Sequence, residues 1–531
     1  MTLRAKNGGS ALPPGSFRIL PHSERSFPEI MKKRWLSLTL CAAMLLTPLF
    51  SACSNTSPAE NQEEGRKEPD AAVEAPSGVN GAEEEPEEET LSRIRPDLEV
   101  KTFDDRTFRI YGRNGKGQDW SVHDMTAEEL TGDTMNDAVF NRNQFLADTY
   151  GFTIELTDSG TSSPAGPIQK LVAASDLTYD TYGTCARDAA SMSSNGIMID
   201  LRKLNYLSLD DAWWSPSLCG PLTVAGHQYM ATGDISVVPK EGVRAFYYNK
   251  GLLADYQLES PYELVNAGTW TWDKLFSMME NATADLNGDG VMNGNDRWGI
   301  QGQTLMGIVL YQGADEALIE KDENDLWTYT AGEERSVDAL MTVADLFSRN
   351  ADRMYVSGDW QGMLKMFENN QALFYTEVML HIVTMRGYDI DFGIIPTPKK
   401  DEAQKNYAHY LDWNCNIMYS LPVTLPEPDD QAYILEAIAY ASRTDITPAY
   451  YDICLKSKYA RDEESSKMLD IIFSSYRLEL AEVYNWGGLP DQVSNALRSG
   501  GNIASTLAKM EKVVAKGIEK SIRNFEENNN W

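Results

Sequence analysis

Residues 133–183 read DTMNDAVFNRNQFLADTYGFTIELTDSGTSSPAGPIQKLVAASDLTYDTYG, and this stretch decides the fold class. Apolar residues recur at helical spacing over 133–150 and 165–174, which predicts two helices. The runs 152–156 and 177–183 are short and rich in apolar and β-branched residues, which predicts two strands, the second of them buried. Strands that alternate with helices indicate a parallel sheet with crossover connections. The sequence therefore predicts an α/β fold.

The segment before this stretch supplies a first strand and a loop. Residues 101–111 (KTFDDRTFRIY) predict a turn and a strand, and a Gly-rich loop follows over 112–120. That loop has neither G-x-x-x-x-G-K-[ST] nor G-x-G-x-x-G, so it does not predict phosphate binding. Ligands of open α/β sheets bind at the carboxyl ends of strands, which makes Asp119 and Trp120 candidate contacts.

A second α/β run follows residue 242. Val243 opens a predicted strand that leads into a helix start at Lys250, and Trp270 and Trp272 are expected to pack in a core. The other predicted elements are strands over 371–378, 390–395 and 413–421, and helices over 330–350, 360–369, 430–442 and 501–524.

Residues 285–296 (DLNGDGVMNGND) match the EF-hand calcium loop, after a helix predicted to start at Thr271. Gly290 stands at the sixth position, where the loop turns sharply. Asp at the last position has a shorter arm than the usual Glu. The alternative is a surface turn rich in Asx and Gly that needs no metal. The predicted Ca²⁺ ligands are Asp285, Asn287, Asp289, Val291 through its carbonyl, Asn293 and Asp296.

Composition narrows the possible partners. The 531 residues carry a formal net charge of -32, which argues against nucleic acid and anionic lipid head groups as partners. The six cysteines show no C-x-x-C spacing and the five histidines are scattered, so a zinc site is not expected. The 12 Trp and 25 Tyr offer aromatic faces on which sugar rings stack, although most should be core residues.

The N-terminal region resembles the signal of a bacterial lipoprotein. Residues 31–34 are a basic MKKR, 35–50 are apolar, and Phe-Ser-Ala-Cys ends at Cys53, the predicted lipidation site. A transmembrane helix is the alternative, but the apolar run is shorter than the roughly 20 residues of a span. Residues 1–30 are predicted to be an over-called extension, 31–52 the signal peptide, and 53–96 a disordered acidic tether.

Several further motifs together resemble one family. They are the box at Cys53, the YYNK that ends at Lys250, TWTWD over 269–273, RWGI over 297–300, NQALFY over 370–375, YDIDFGIIPTP over 388–398, and the strand-then-helix unit over 410–442. Their identity and order resemble the extracellular solute-binding proteins of ABC importers, in the class of maltose- and multiple-sugar-binding proteins.

This resemblance implies a periplasmic-binding-protein type II fold with two lobes, a hinge and an inter-lobe cleft. The first lobe would comprise 97–242 and 414–450, and the second 243–413 and 451–531. The chain would be a monomeric receptor, lipid-anchored on the outer face of the membrane, that captures a carbohydrate and delivers it to ABC permease subunits. A sugar needs aromatic faces and planar polar groups. The candidate ligand contacts are Asp119, Trp120, Arg187, Asp188, Asp234, Tyr375, Glu377, Asp412, Trp413 and Trp486.

Two other functions compete with this interpretation. A secreted carbohydrate-active enzyme would need a carboxylate pair, which counting residues does not exclude. However, H-E-x-x-H and G-x-S-x-G motifs and a Cys-His constellation are absent from the sequence, and the resemblance carries no catalytic residues. An adhesin or scaffold lipoprotein would use repeated calcium loops, and the sequence has one.

Overall fold

A computed structural model describes residues 92–114, 120–455 and 463–529. All of these residues fall within one unit, Glu87–Trp531. The predicted extension, signal peptide and lipidation site at Cys53, most of the predicted tether, and the candidate contact Asp119 lie outside the described residues. Within the described residues, no helix is both long enough and apolar enough to cross a membrane.

The strands are short and spread over most of the chain. They are β1 (Arg106–Gly112), β2 (Phe152–Asp158), β3 (Thr181–Thr184), β4 (Arg244–Asn249), β5 (Trp298–Gln303), β6 (Ile319–Lys321), β7 (Trp327–Tyr329), β8 (Met354–Ser357), β9 (Ala372–Val378), β10 (Phe392–Ile395), β11 (His409–Leu411), β12 (Met418–Ser420) and β13 (Tyr476–Leu478).

Helices fill most of the intervals between the strands. They are α1 (Thr134–Tyr150), α2 (Ala165–Ala173), α3 (Ala186–Ser194), α4 (Pro216–Cys219), α5 (Val238–Glu241), α6 (Lys250–Asp255), α7 (Pro261–Asn266), α8 (Trp272–Met278), α9 (Met306–Gly313), α10 (Glu334–Arg349), α11 (Trp360–Glu368), α12 (Ile382–Met385), α13 (Pro428–Leu455), α14 (Glu463–Ser474), α15 (Leu480–Tyr484), α16 (Leu489–Ser499) and α17 (Ile503–Asn529).

The first sheet has the order β12-β3-β1-β2. β1 pairs in parallel with both β2 and β3, as the alternation of strands and helices predicts, while β12 joins β3 antiparallel. The predicted strand over 177–183 begins only at Thr181, where pairing with β1 starts, and Leu177, which the sequence predicts to be buried, is 56% exposed. The predicted strand over 413–421 likewise shrinks to β12, which leaves Trp413 in a loop.

The second sheet has the order β10-β4-β9-β5-β8. β5 is parallel to β8 and β9, whereas β4 runs antiparallel to both β9 and β10. All strands of the first sheet come from the segments 97–242 and 414–450, and all strands of the second come from 243–413. This distribution agrees with the predicted division into lobes, whose boundaries stay a prediction.

Two chain crossings between the sheets lie side by side. Val243 forms an antiparallel bridge with Leu411, and the Asp412 amide donates to the Gly242 carbonyl at 2.9 Å. A Cβ on Gly242 would lie 1.7 Å from the Cys415 carbonyl oxygen, so only glycine fits this close approach. Backbone hydrogen bonding therefore joins the two crossings at the junction of the two sheets.

Local sequence signals explain the helix ends. The Asp133 side chain accepts hydrogen bonds from the first-turn amides of α1, and Gly151 ends the helix at a φ of 67°. The hydroxyl of Thr271 caps α8 through the Lys274 amide, as predicted. Trp270 and Trp272 are fully buried in the core, which confirms their predicted packing role.

The start of the described chain packs on the first sheet's side. Arg93 pairs with Asp445 at 2.5 Å, and Arg95 pairs with Glu436 at 2.8 Å. The buried Glu436 carboxylate also accepts the indole N–H groups of two neighbouring tryptophans, 213 and 214. The last residues of the predicted tether are therefore held on the folded part of the chain.

Candidate ligand-binding site

A cavity of about 440 Å³ lies where strands of both sheets end. Arg187 follows the carboxyl end of β3 in the first sheet, while Gln303 and Val378 end β5 and β9 in the second. Asp412 enters from the crossing that joins the sheets. The cavity has the volume of a small-molecule site and sits at the strand ends that α/β folds use for ligands.

Three tryptophans line this cavity: Trp120, Trp360 and Trp413. Trp120 and Trp360 meet edge to face, with ring centroids 6.5 Å apart, and Trp360 stacks on His381 at 4.7 Å. The Trp120 indole nitrogen is buried without a hydrogen-bond partner in the described part of the chain. A ligand oxygen that reached this N–H would remove the free-energy penalty of an unsatisfied donor.

Arg187 makes a cation–π contact with one of these rings. Its guanidinium carbon lies 3.5 Å from the centroid of Trp413, and its Nε donates to the Glu482 carbonyl at 2.7 Å. Burial lowers the pKa of Arg187, although nearby carboxylates oppose this effect. The terminal nitrogens have no partner among the described residues, so they are available as hydrogen-bond donors to a ligand.

The floor of the cavity is a compensated charge cluster. Arg244 on β4 donates to Asp412 at 2.5 Å and to Glu482 at 3.2 Å. Burial raises the pKa of Asp412, but Arg244 and the backbone amides of the next turn outweigh it and hold this pKa below its ordinary value. Burial lowers the pKa of Arg244, yet the two carboxylates outweigh that effect and raise it. Asp412 and Arg244 therefore stay ionised, and Arg244 pairs with both carboxylates.

The structure brings four predicted contacts together at this cavity: Trp120, Arg187, Asp412 and Trp413. Two more predicted contacts, Glu377 and Tyr375, lie next to it. Glu377 lines a small adjoining recess, where it accepts both the Gln303 amide at 2.7 Å and the Tyr375 hydroxyl at 3.1 Å. Burial raises the pKa of Glu377.

Three other predicted contacts do not line the cavity and have structural partners instead. Asp188 accepts from Ser163 Oγ at 2.8 Å and from the amide at the start of α2. Asp234 pairs with Lys240 at 2.7 Å. Trp486 stacks on a neighbouring tyrosine, and its indole N–H donates to a serine hydroxyl on α17. The structure therefore does not bring these three residues to the cavity, because hydrogen bonds, an ion pair or ring stacking hold each side chain elsewhere.

Sequence reasoning missed several residues of the cavity wall. Gln303 ends a strand, so the rule that placed Arg187 could have found it once β5 was recognised. Trp360 opens α11 and reaches the cavity only because β8 is paired beside β5. The other missed polar wall residues are Thr304, His381, Asn414, Glu482 and Asp491.

A second cavity, of about 400 Å³, lies near the first but has different chemistry. His123 and Glu241 line it and approach each other to 3.3 Å. Burial lowers the pKa of His123, but the Glu241 charge outweighs burial and raises the pKa to about 10. Tyr450 is the single tyrosine in this wall, which contains no tryptophan, so this cavity is less suited to sugar rings.

The calcium-type loop is closed by its own backbone amides. Asp285 accepts from the amides of Gly288 and Gly290 at 2.7 and 2.8 Å, and these bonds lower its pKa. The buried Asp296 carboxylate accepts from the Leu286 and Asn293 amides at 3.1 and 2.8 Å. Within the described residues, no three or more His, Cys, Asp or Glu side chains form a group that could hold a metal ion.

Comparison with known proteins identifies the family of this chain. The sequence model described as "Bacterial extracellular solute-binding protein" matches residues 127–437, more than half of the chain. No curated protein sequence matches the chain. The chain belongs to the bacterial extracellular solute-binding protein family.

Solved structures share the fold at low sequence identity. A cyclic alpha-maltosyl-1,6-maltose binding protein from Arthrobacter globiformis has a TM-score of 0.52 at 14% identity, covering 78% of this chain and 99% of that one. A maltose/maltodextrin-binding domain from Bdellovibrio bacteriovorus, bound to maltotriose, has a TM-score of 0.50 at 14% identity, with 78% and 100% covered. An ABC substrate-binding protein from Listeria monocytogenes, in complex with cycloalternan, has a TM-score of 0.50 at 11% identity, covering 78% of this chain and 99% of that one. The likeness confirms the predicted two-lobed α/β fold.

Proposed function

We propose that this protein is the substrate-binding lipoprotein of an ABC importer and that it captures an oligosaccharide in the cavity at the strand ends. One observation carries the proposal: three tryptophans and several polar side chains from both sheets line a single cavity of about 440 Å³. Aromatic faces bind the C–H surface of a sugar ring, and planar polar groups bind its hydroxyls. The oligosaccharides bound by the structural neighbours support the same class of ligand.

Binding without chemistry is part of the proposal. Glycoside hydrolysis uses two carboxyl groups, one of which must carry a proton. In the cavity floor, Asp412 and Glu482 share the guanidinium of Arg244, and the pKa of Asp412 is held low. An ionised, paired carboxylate is a poor general acid, so this pair does not favour the competing enzyme function.

Anchoring and delivery extend the proposal. The lipobox that ends at Cys53 would attach a lipid to the mature chain on the outer face of the membrane. The loaded receptor would act as a monomer and pass its sugar to the membrane-embedded permease subunits. Support for these steps comes from the signal sequence and from membership of the extracellular solute-binding family.

Calcium is a structural addition to the proposal. The six loop positions 1, 3, 5, 7, 9 and 12 all offer oxygens, and a carboxylate oxygen that accepts one N–H keeps a lone pair for a cation. Asp285, Asp289 and Asp296 would supply the charge, and Asn287, Asn293 and the Val291 carbonyl the neutral oxygens. The hydrogen bonds already present also close the loop without metal. Removal of the metal therefore decides between a calcium-binding loop and a metal-free turn.

The test is a calorimetric titration of the unlipidated mature chain (Cys53→Ser) against a panel of oligosaccharides, followed by product analysis of the mixture. We expect binding of at least one glycan at micromolar or lower Kd with no new products. Cleaved or transferred products would show an enzyme instead. A panel without any binder would contradict a carbohydrate ligand.

A further inference from the structure

The C-terminal helix α17 carries a row of cations on one face. Lys509, Lys512, Lys516, Lys520 and Arg523 are all exposed. At about 100° per residue they fall within roughly 40° of one line along the helix, and that line is about 21 Å long. The buried residues of α17, such as Leu507, Val514 and Phe525, lie on the opposite face.

These five cations, here called the α17 stripe, differ from three cations on other helices. Arg349, Lys365 and Lys467 each pair with a carboxylate one turn away, at 2.6, 2.6 and 2.9 Å. None of the stripe residues makes an ion pair or hydrogen bond with another described residue. In a chain with 79 acidic and 47 basic side chains, a run of unpaired cations on one face is unexpected.

Helix stability does not explain the α17 stripe. Lys512, Lys516 and Lys520 follow one another at i, i+4 spacing, at which like charges destabilise a helix. Glu519 lies on the flank of the stripe, about 60° from Lys516, and Glu511 lies further round the helix. Glu527 lies on the same line one turn beyond Arg523. The spacing of the three lysines therefore brings no stability to the isolated helix, which points to a partner outside the chain.

We propose that the α17 stripe docks on a membrane surface that contains anionic phospholipids. The five cations are all exposed and lie along one side of a single helix, so they form a row suited to a flat array of negative head groups. The net charge of -32 predicts repulsion from such lipids, but charges more than about 8 Å away are screened at physiological salt. At short range, the head groups would therefore interact mainly with the stripe and its near neighbours.

This orientation would complement the proposed lipid anchor. A tether at Cys53 would hold the receptor at high effective concentration near the membrane, where even a weak attraction orients it. The stripe is distinct from the sugar cavity, since none of its residues lines that cavity. The inference therefore goes beyond the proposed function, and the vesicle experiment does not depend on sugar binding.

The experiment measures vesicle binding by sedimentation with the Cys53→Ser chain from residue 53 onward. Vesicles of phosphatidylglycerol and phosphatidylcholine are compared with phosphatidylcholine alone, at 50 and 500 mM NaCl. The test variant is Lys512→Gln/Lys516→Gln/Lys520→Gln. The control is Arg349→Gln/Lys365→Gln/Lys467→Gln, which removes the same charge from paired positions.

We expect binding to the anionic vesicles alone, weakened at high salt. The stripe variant should bind about a hundredfold more weakly, while the control should change less than about threefold. Equal losses in both variants, or no preference for phosphatidylglycerol, would overturn the proposal. Binding to soluble poly-glutamate without binding to vesicles would also overturn it, because the occupant would then be an acidic polypeptide.

The stripe variant should keep its sugar affinity, and a wild-type chain that binds vesicles but no sugar would contradict only the proposed function.

Discussion

The cavity at the strand ends and the loop over 285–296 are both rich in polar side chains, but they are built in opposite ways. The loop draws all its oxygens from twelve consecutive residues, and its backbone amides satisfy them locally. The cavity draws its wall from segments as far apart as Trp120 and Asp491. Its charges are compensated across the chain, as in the pair between Arg244 and Glu482.

The difference has a physical consequence for function. A local loop depends on few contacts with the rest of the chain, so a change in it should alter stability while leaving the cavity's specificity intact. A cavity assembled from distant segments depends on the packing of both sheets, so a change at its floor affects stability and binding together. Variants of the two regions should therefore differ in which property they change.

Removing Arg244 should have the largest effect. Arg244→Met leaves the carboxylates of Asp412 and Glu482 without their shared cation, and breaking a buried ion pair costs about 3–5 kcal/mol of unfolding free energy. Urea denaturation followed by circular dichroism measures this. The control Arg349→Met breaks an exposed helix pair and should cost less than about 1 kcal/mol. Similar losses in both variants would show that the floor cluster is not a compensated buried charge group.

The contribution of Glu479 to stability should depend on pH, and this dependence tests the region around Glu482. This buried carboxyl, which lies near Glu482, accepts from the Ala481 and Leu318 amides, and burial raises its pKa from 4.5 to about 7. The folded state then holds a proton that the unfolded state has lost, so its contribution to stability falls as pH rises from about 4.5 to 7.

The measurement compares wild type with Glu479→Gln across this pH range. At about 1.4 kcal/mol per pKa unit, the wild type should lose roughly 3 kcal/mol relative to the variant between pH 4 and 8. A stability difference that does not change with pH would show that Glu479 keeps its ordinary pKa.

Chelation tests the loop alone. If calcium at a hundred times its Kd is bound, removing it with EDTA should lower the free energy of unfolding by about 2.7 kcal/mol, with a matching fall in Tm. Asp285→Asn should remove most of this response, while sugar affinity stays within about twofold. A Tm that EDTA leaves unchanged would favour the metal-free turn, in which Asp285 serves only Gly288 and Gly290.

Two tryptophan variants compare the cavity with a site that the sequence alone proposed. Trp120→Ala should raise the Kd for the sugar by about 5- to 30-fold, because an aromatic face contributes about 1–2 kcal/mol. Trp486→Phe should leave Kd within about twofold, because Trp486 packs against α17 instead of the cavity. Calorimetry measures both, and a larger loss with Trp486→Phe would favour the sequence-based placement.

Sequence reasoning predicted the fold far better than the site. Helical spacing and β-branched runs found β1, β2, β9 and most of the long helices, because those signals are local. The shortening of the predicted strand over 177–183 to β3 came from pairing: within this stretch, only residues from Thr181 onward pair with β1 or β12. No local pattern encodes that constraint.

The candidate site residues also differ in whether a local sequence rule or long-range packing determines their position. Trp120 lies in the loop after β1 and Arg187 lies just after β3, and both line the cavity, as the rule for strand ends predicts; their contact with a ligand stays a prediction. Asp188 is adjacent to Arg187 but turns toward Ser163, because neighbouring helix residues point about 100° apart. Trp360 was missed because its helix reaches the cavity only through the order of the second sheet.

Hydrogen–deuterium exchange with and without a bound oligosaccharide tests the central claim most directly. The account predicts that the sugar protects amides in the segments that contain Arg187, Thr304 and Asp412 from exchange, because these segments from both sheets wall the cavity. Amides of the loop over 285–296 should exchange at unchanged rates. Sugar binding that protects other regions and leaves the three cavity segments unprotected would contradict the account.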